Sequence, residues 1–390
     1  MTEIEIFTQA LELGTPWEVM EVYFKEVGLK KTLHIHVGYS KGSRFSHEGK
    51  EYSVYDHQER TWRHSDFFQH ECFLHARVPR VRTEEGNVRL IKVPWAEEGS
   101  SFTLLFERTV LELVKNGMSV SRAGMTMRIG SGSVHRIIKR KVLDSLLDEK
   151  LEPVKELSLD ETSSKKGHNY LTILCDREEK KVVGIGVGKT IESVEEGLME
   201  MEIRGGSRDT VRCISMDMWR AYIAAAQQKM GQAEIVFDRF HLVYNLNRAI
   251  DRVRRMEQRQ FSDLKRTKYV WLKNYENLEV EQKELIDDLS NQYTKIGEAY
   301  RLKELFREVL DQAQEDSRLR WLNAWMKEAW ASGIPAICQF VNMLREHWYG
   351  IKTYFRKLAT NAFAERVNLK IQEIKRIAKG YRNINNYKLK

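Results

Sequence analysis

The spacing of apolar residues changes along this chain, and each change predicts a different kind of element. Up to about residue 98 it reads as a short helix followed by short strands. "TLHIHVGY" and "HARVPRVR" alternate apolar and polar positions, and "EGKEYSVYDHQERTWRH" mixes turn and strand character. Glycines and charged pairs interrupt this stretch, which predicts a small core. From Ser101 the period becomes helical: "FTLLFERTVLELVKNG" puts Phe102, Leu105, Phe106, Val110, Leu113 and Val114 on one side, with Thr103 near its start and Gly117 as its stop. "SVSRAGMTMRIGSGSVHRIIKRKV" then predicts two short helices around a small-residue turn at Gly130–Gly132, a helix-turn-helix. The second helix begins near Ser131. Val134, Ile137 and Ile138 face inward, and Ser133, His135, Arg136, Lys139 and Arg140 face outward. Hydroxyls and guanidinium groups suit base edges and ammonium groups suit phosphates, so this side fits a DNA major groove. The plainer alternative is a helical hairpin that links two domains.

From Val154 the pattern is α/β. "VKELSLDE", "YLTILCDR" and "KVVGIGVG" read as three successive strands, with turns at Lys165–His168 and Glu178–Lys180. "IESVEEGLMEMEIRGG" is an amphipathic helix that ends at Gly205–Gly206, and "VRCISMD" and "AEIVFD" are two further strands separated by the helix "WRAYIAAAQQKMG". The expected product is a mixed five-stranded sheet with helical cover. Phe240 to about Thr360 carries no strand signal and is too long for a connection, so it predicts an all-helical insertion. It is rich in Arg, Lys, Glu and aromatics, including Trp271, Trp321, Trp325, Trp330 and Trp348. The last helix, within "NAFAERVNLKIQEIKRIAKGYRNINNYK", has two faces. Phe363, Val367, Ile371, Ile374 and Ala378 form an apolar stripe; Asn361, Glu365, Asn368 and Gln372 form a polar one about 200° round, at ~100° per residue. The polar stripe is either a solvated face or the wall of a site. The boundaries expected from these shifts are 1–98, 99–150, 151–239, 240–358 and 359–390.

Composition narrows the function. Forty-two per cent hydrophobic residues and nine Trp exclude a disordered chain, and a formal net charge of +8 favours an anionic partner, nucleic acid first. The four cysteines are scattered with no CxxC pair, which supports neither a disulfide framework nor a cysteine zinc site. No apolar run reaches the roughly 20 residues of a membrane span, and "MTEIEIFTQALELG" lacks a signal design, so a cytoplasmic protein is expected, with no membrane partner.

Three strands end alike. "LSLD", "ISMD" and "IVFD" place apolar residues one and three positions before Asp160, Asp217 and Asp238. If the first and fourth strands are parallel neighbours, Asp160 and Asp217 emerge at one sheet edge, where open α/β sheets bind ligands. Two carboxylates held that close repel unless one is protonated or a cation lies between them. Hard oxygen donors select Mg²⁺ or Mn²⁺, and a third carboxylate from a packed helix would complete a site for two ions; Glu365 is the candidate. Each aspartate alone also fits a helix or turn cap; Asp238 is ambiguous in this way, and Asp176 and Glu161 look like turn residues.

In combination, "LSLDETS", "CISMDMWRAY", "IVFDRFHLVYNLNRAIDRVRR" and "NAFAERVNLKIQEIKRIAKGYRN" resemble the DDE transposases of bacterial insertion sequences, with most similarity to the ISL-three subgroup, over most of the chain. "VPRVR" and "VPWAE" also resemble that subgroup. The resemblance implies an RNase H-like core interrupted by helices, with Asp160, Asp217 and Glu365 matching the catalytic acidic triad and Asp238 and His241 of "FDRFH" close to it. It further implies two Mg²⁺ or Mn²⁺ ions, and double-stranded DNA (terminal inverted repeats and target) as the partner of a homodimer or higher assembly at the nucleoid. One departure stands out. The subgroup carries an N-terminal zinc ribbon built from cysteine pairs, whereas "RFSHEGKEY" and "VRTEEGNVR" contain none, so a degenerate ribbon and no zinc are expected.

The resulting expectation is a transposase that binds its element's ends through the first 150 residues, cleaves a phosphodiester and joins the freed 3′-hydroxyl to target DNA. Arg248, Arg252, Arg254, Arg255 and Arg259 are candidate phosphate contacts, with a solvated helix face as the alternative. A catalytically silent helix-turn-helix regulator, and a nuclease that cuts without joining, are the competing readings.

Overall fold

The computed structural model describes residues 3–165, 167, 169–311, 315–357, 362–378 and 383–388, and the chain divides into two units, Met1–Val142 and Leu143–Lys390. In the first, α1 (Glu3–Ala10) precedes β1 (Trp17–Val27), β2 (Lys30–Tyr39), β3 (Arg44–His47), β4 (Lys50–Phe67), β5 (His70–Arg82) and β6 (Val88–Leu90). Among the described residues these strands make one six-stranded sheet, ordered β1-β2-β5-β4-β3 with β6 on β5. β4 is 18 residues long where short strands were expected. The reason lies in its pairing with β5, whose register shifts at Val54/Asp56 and His64/Phe67 absorb the irregular alternation that resembled turns. One face buries Trp17, Leu33, Ile35, Trp62, Leu74 and Trp95.

The helical stretch follows as α2 (Leu104–Lys115), α3 (Val120–Thr126) and α4 (Ser131–Asp148). Thr103 caps α2 by accepting from the Phe106 N–H, and Gly117 ends the turn after it at φ 88°. Ser119 caps α3 in the same way. Val134, Ile137 and Ile138 are buried, as their spacing predicts, and α4 runs on from one unit into the other.

The second unit opens with β7 (Glu156–Lys165), β8 (Asn169–Asp176) and β9 (Lys181–Val187), then α5 (Ile191–Ile203), β10 (Cys213–Met216), α6 (Arg220–Lys229) and β11 (Glu234–Phe237). The sheet order is β11-β10-β7-β8-β9, antiparallel from β7 to β9 and parallel from β7 through β10 to β11. β10 is buried along its whole length, as befits a parallel strand flanked on both sides. α5 lies so close to β9 that a Cβ on Gly186 would stand 1.7 Å from the Ser193 carbonyl oxygen, and one on Gly184 2.0 Å from that of Gly197.

The insertion is α7 (Arg239–Glu257), α8 (Lys268–Leu272), α9 (Val280–Gln292), α10 (Thr294–Asp311), α11 (Glu315–Ala331), α12 (Pro335–Glu346) and α13 (Trp348–Lys357), and no strand occurs in it among the described residues. Its buried residues, Trp271, Phe306, Trp325 and Phe340 among them, are continuous with those of the sheet. α14 (Ala362–Ile377) and α15 (Ile384–Lys388) close the chain. Phe363, Val367, Ile371 and Ile374 pack on Leu171, Ile173 and Cys175 of β8, so the apolar stripe has its core. Asn361 and Gly380 lie outside the described residues.

Candidate active site

The register of β7 on β10 pairs Cys213 with Glu156, Ile214 with Leu157 and Ser215 with Ser158. Two residues further on, Asp160 and Asp217 come level. β11 pairs Met216 with Phe237, which brings Asp238 to the same edge. Asp217 and Asp238 therefore stand at the carboxyl ends of β10 and β11, beside Asp160 in the middle of the longer β7, where the ligand crevice of an open α/β sheet lies.

This edge is dry and crowded with acid. Burial pushes the Asp160 carboxyl up to about 7, the Glu161 N–H opposes that shift, and the charges of Glu161, Asp217 and Asp238 add to it. Glu161 is likewise raised, first by burial and then by Asp217, while Lys189 and His241 pull it back. The Glu161 reading as a turn residue fails because β7 continues five residues past Asp160, to Lys165, leaving Glu161 inside the strand. Asp238 is raised by burial, and its side chain also caps α7 by accepting from the Phe240 N–H at 3.2 Å; His241, one helical turn along, lowers it. Cap and neighbour of the acid cluster are thus the same residue. Asp176 is the turn residue it resembled, accepting from the N–H groups of Glu178 and Glu179.

α14 lays its polar stripe along β7. Asn368 Nδ2 donates to Asp160 Oδ2 at 2.7 Å, Gln372 Nε2 donates to the Ser163 carbonyl at 3.0 Å and to Thr162 Oγ1, and Lys375 Nζ donates to the Ser163 carbonyl at 2.8 Å. Glu365 is exposed, one turn before Asn368 on the same stripe. The fold thus brings Asp160 and Asp217 together and supplies Asn368 as the direct contact from α14, with Glu365 at the outer end of that face. Lys189, in the turn between β9 and α5, had no signal in the sequence pattern; its ammonium pairs with Glu161 and lies 3.5 Å from Asp217 Oδ2.

The donor set suits a hard divalent cation. Carboxylate oxygens dominate it, Glu161 Oε2 and Asn368 Oδ1 are buried without a hydrogen-bond partner, and an ammonium already stands between two of the acids. Among the described residues no three His, Cys, Asp or Glu side chains form an assembled cage, consistent with the outward placement of Glu365.

On α4, Arg136 and Lys139 are exposed, and Ser133 and His135 half-buried, with Arg136 donating to Ser133 Oγ at 3.0 Å. Arg140 differs: it pairs with the buried Glu107 of α2, which also accepts from Ser100 Oγ. On α7, Arg254 is buried against Asp251 at 2.8 Å and Arg252 donates to Gln339 at 2.9 Å, so these two hold the insertion together.

Residues 157–390 match a transposase family model, residues 91–142 match the helix-turn-helix domain of transposase family ISL3, and residues 49–84 match the zinc-finger of transposases IS204, IS1001, IS1096 and IS1165. The transposase for insertion sequence element IS1001 from Bordetella parapertussis is 27% identical over 340 residues, 85% of this chain and 83% of that protein. The transposase for insertion sequence element IS1557 of Mycobacterium tuberculosis is 24% identical over 366 residues, 86% of this chain and 82% of that protein.

The zinc-finger match corrects the expectation that zinc plays no part. That expectation counted cysteine pairs, whereas the matched stretch is related to a zinc finger as a whole. Within residues 49–84 stand one cysteine, Cys72, and four histidines, His57, His64, His70 and His75. Among the described residues no three His, Cys, Asp or Glu side chains of this stretch form a group that could hold a metal ion.

Proposed function

The chain belongs to the ISL3 family of insertion-sequence transposases and is a DNA-binding, DDE-type enzyme; from that premise we propose that Asp160, Asp217 and Glu365 are its catalytic and metal-binding carboxylates. The observation that carries this reading is the meeting of Asp160 and Asp217 where β10 ends beside the middle of β7, with α14 docked beside them through Asn368. The five-stranded mixed sheet, interrupted by helices before the last acid, corresponds to an RNase H-like core. Residues 1–98, 99–150, 151–239, 240–358 and 359–390 serve as ribbon-derived DNA-binding region, helix-turn-helix, first part of the core, insertion and closing helix. The enzyme works at the bacterial nucleoid as a dimer or larger assembly.

Two Mg²⁺ or Mn²⁺ ions would activate a water or 3′-hydroxyl and stabilise the leaving oxygen, so one site serves both cleavage and strand transfer. The chain's own residues do the rest. Asp160 and Asp217 hold fixed positions because adjacent strands set them. Asn368 orients the Asp160 carboxylate through Oδ2, and burial excludes competing water from it. Glu365 approaches from the first turn of α14, and His241 and Asp238 border the acids from α7. Ser133, His135, Arg136 and Lys139 on α4 meet the terminal inverted repeats, with Arg140 reaching DNA only where its pair with Glu107 opens.

Asp160→Asn keeps the side-chain shape and removes a metal-binding charge. Cleavage of end-repeat DNA should fall by about 10³-fold or more while affinity for that DNA stays within a few-fold. Replacing Arg136 and Lys139 together should do the reverse, weakening end binding and flattening its salt dependence. Mg²⁺-dependent nicking measured beside salt-titrated binding decides; parent-like cleavage by Asp160→Asn sinks the assignment.

A further inference from the structure

Lys189 stands inside the acid cluster of the sheet edge. Its ammonium lies among carboxylates at the sheet edge, paired with Glu161 and 3.5 Å from Asp217 Oδ2, and its side chain is only 18% exposed. Glu161 and Asp217, at 20% and 15%, are similarly enclosed. Acids this dry and this close need an opposite charge between them, and Lys189 supplies it. The backbone that carries it is tied down on both sides. Gly188 turns the chain at φ 115°, a conformation that disfavours a side chain, and the Trp219 indole N–H donates to the Lys189 carbonyl at 3.1 Å. Trp219 is itself fixed to the site, since its backbone N–H donates to Asp217 Oδ1 at 3.0 Å. Trp219 is 45% exposed, and the ammonium already lies 4.7 Å from its ring centroid while paired with the acids, so the ring's outer face continues this contact towards solvent. A fixed backbone, a flexible four-carbon stem and an aromatic face reaching outward make a side chain that can leave the acids without moving the fold.

Resting on the carboxylate site proposed above, we propose that Lys189 is the resident counter-cation of that site: it is held between Glu161 and Asp217 in the metal-free protein and displaced outward along the Trp219 ring, which it already touches, when a divalent ion binds. Glu161 Oε2, buried and unpartnered beside Lys189, is one oxygen that the incoming ion can take without breaking a bond. Lys189 is thus a positioning residue that keeps the acids together and sets how readily the ion enters.

The probe is Mn²⁺ alone, bound to the full chain without DNA and counted by electron paramagnetic resonance. Lys189→Met and Lys189→Gln should bind Mn²⁺ about tenfold more tightly than the parent, because the competing charge is gone, while melting at a lower temperature when metal-free. Lys189→Arg, which keeps the charge, should bind like the parent, as should Lys229→Met, whose ammonium pairs with Glu195 on α5. A merely structural lysine would lose metal affinity and stability together. The parent offers a test that needs no variant: acetylation of Lys189 by a water-soluble acylating reagent, followed by mass spectrometry, should speed up several-fold on adding Mn²⁺. Unchanged affinity in the neutral variants, or an acetylation rate that Mn²⁺ leaves unchanged or lowers, overturns the role of Lys189. Failure of the folded parent to bind Mn²⁺ at all overturns the carboxylate-site reading, and this inference with it. If the parent binds, Asp160→Asn loses binding and Lys189→Met matches the parent, only the Lys189 inference falls.

Discussion

At Asp160, burial and three neighbouring acids act in one direction, and the consequence is a pH dependence whose sign can be worked out. Its carboxyl titrates near 7 in the folded chain against an ordinary value of 3.8. Between those values the folded protein keeps a proton that the unfolded chain has lost, so stability falls as pH rises through this window. Glu161 and Asp238, both raised by burial, add to the same trend. The metal-free protein should therefore melt at a lower temperature at pH 8 than at pH 5, and Asp160→Asn should shrink that difference. Calorimetry across this range checks it; a slope identical to the parent's would show that another group holds the proton. The same proton competes with a divalent ion, so Mn²⁺ affinity should climb over the same interval.

Elements are seated here by what their side chains leave out as well as by what they supply. β9 alternates Val183, Gly184, Ile185 and Gly186, and the two glycines face α5, whose backbone comes within contact distance of where a Cβ would be. Gly186→Ala must push α5 off the sheet or bend β9. A loss of about 3 kcal/mol, the upper end of what overpacking usually costs, should appear as a lower denaturation midpoint with unchanged slope. Lys189 sits in the turn between these two elements, so the variant should disturb Mn²⁺ binding too. α14 is held differently, by an apolar stripe on β8 and a polar stripe along β7, and that division explains the amides at Asn368 and Gln372. Amides satisfy strand carbonyls and orient a carboxylate without adding a further negative charge to the site.

Over the whole second unit, sheet and insertion share one apolar interior. Phe237 of β11 lies so close to Gly350 of α13 that a Cβ there would stand 2.5 Å from its ring, and Glu234 on the same strand pairs with Arg356 and Lys357 at 2.6 Å. Further out, Trp271 is fully buried, with its indole N–H donated to Thr267 Oγ1 at 3.0 Å. If this interior is one cooperative body, Trp271→Ala should cost about 3–5 kcal/mol and loosen the sheet as well as the insertion. Hydrogen exchange reports this residue by residue. Faster exchange confined to α8–α10, with β10 as protected as in the parent, would show that the insertion opens alone.

Much of this was written in local pattern. Period-two and helical spacing, Thr103 at a helix start, and the repeated apolar–x–apolar–Asp pattern depend on residues within a turn or two of each other, so the sequence alone determined most element types, the helix-turn-helix and the aspartates that follow β10 and β11; it misplaced Asp160, which lies inside β7 because pairing with β8 carries that strand on to Lys165. It also determined that α14 has two faces. Tertiary structure decided which elements meet. Only strand pairing brings Asp217 level with Asp160 across the sheet, and only packing sends Asn368 to Asp160 while Glu365 stays exposed at the outer end. Arg140 and Arg254 look in sequence like Arg136 and Arg255; the pair with buried Glu107 ties down the half-buried Arg140, and burial beside Asp251 makes Arg254 an internal brace while Arg255 stays exposed. Lys189 was illegible for the same reason. The field at a charged group is set by acids 28 positions back and 28 positions on, and no spacing rule along the chain encodes a distance that folding alone creates.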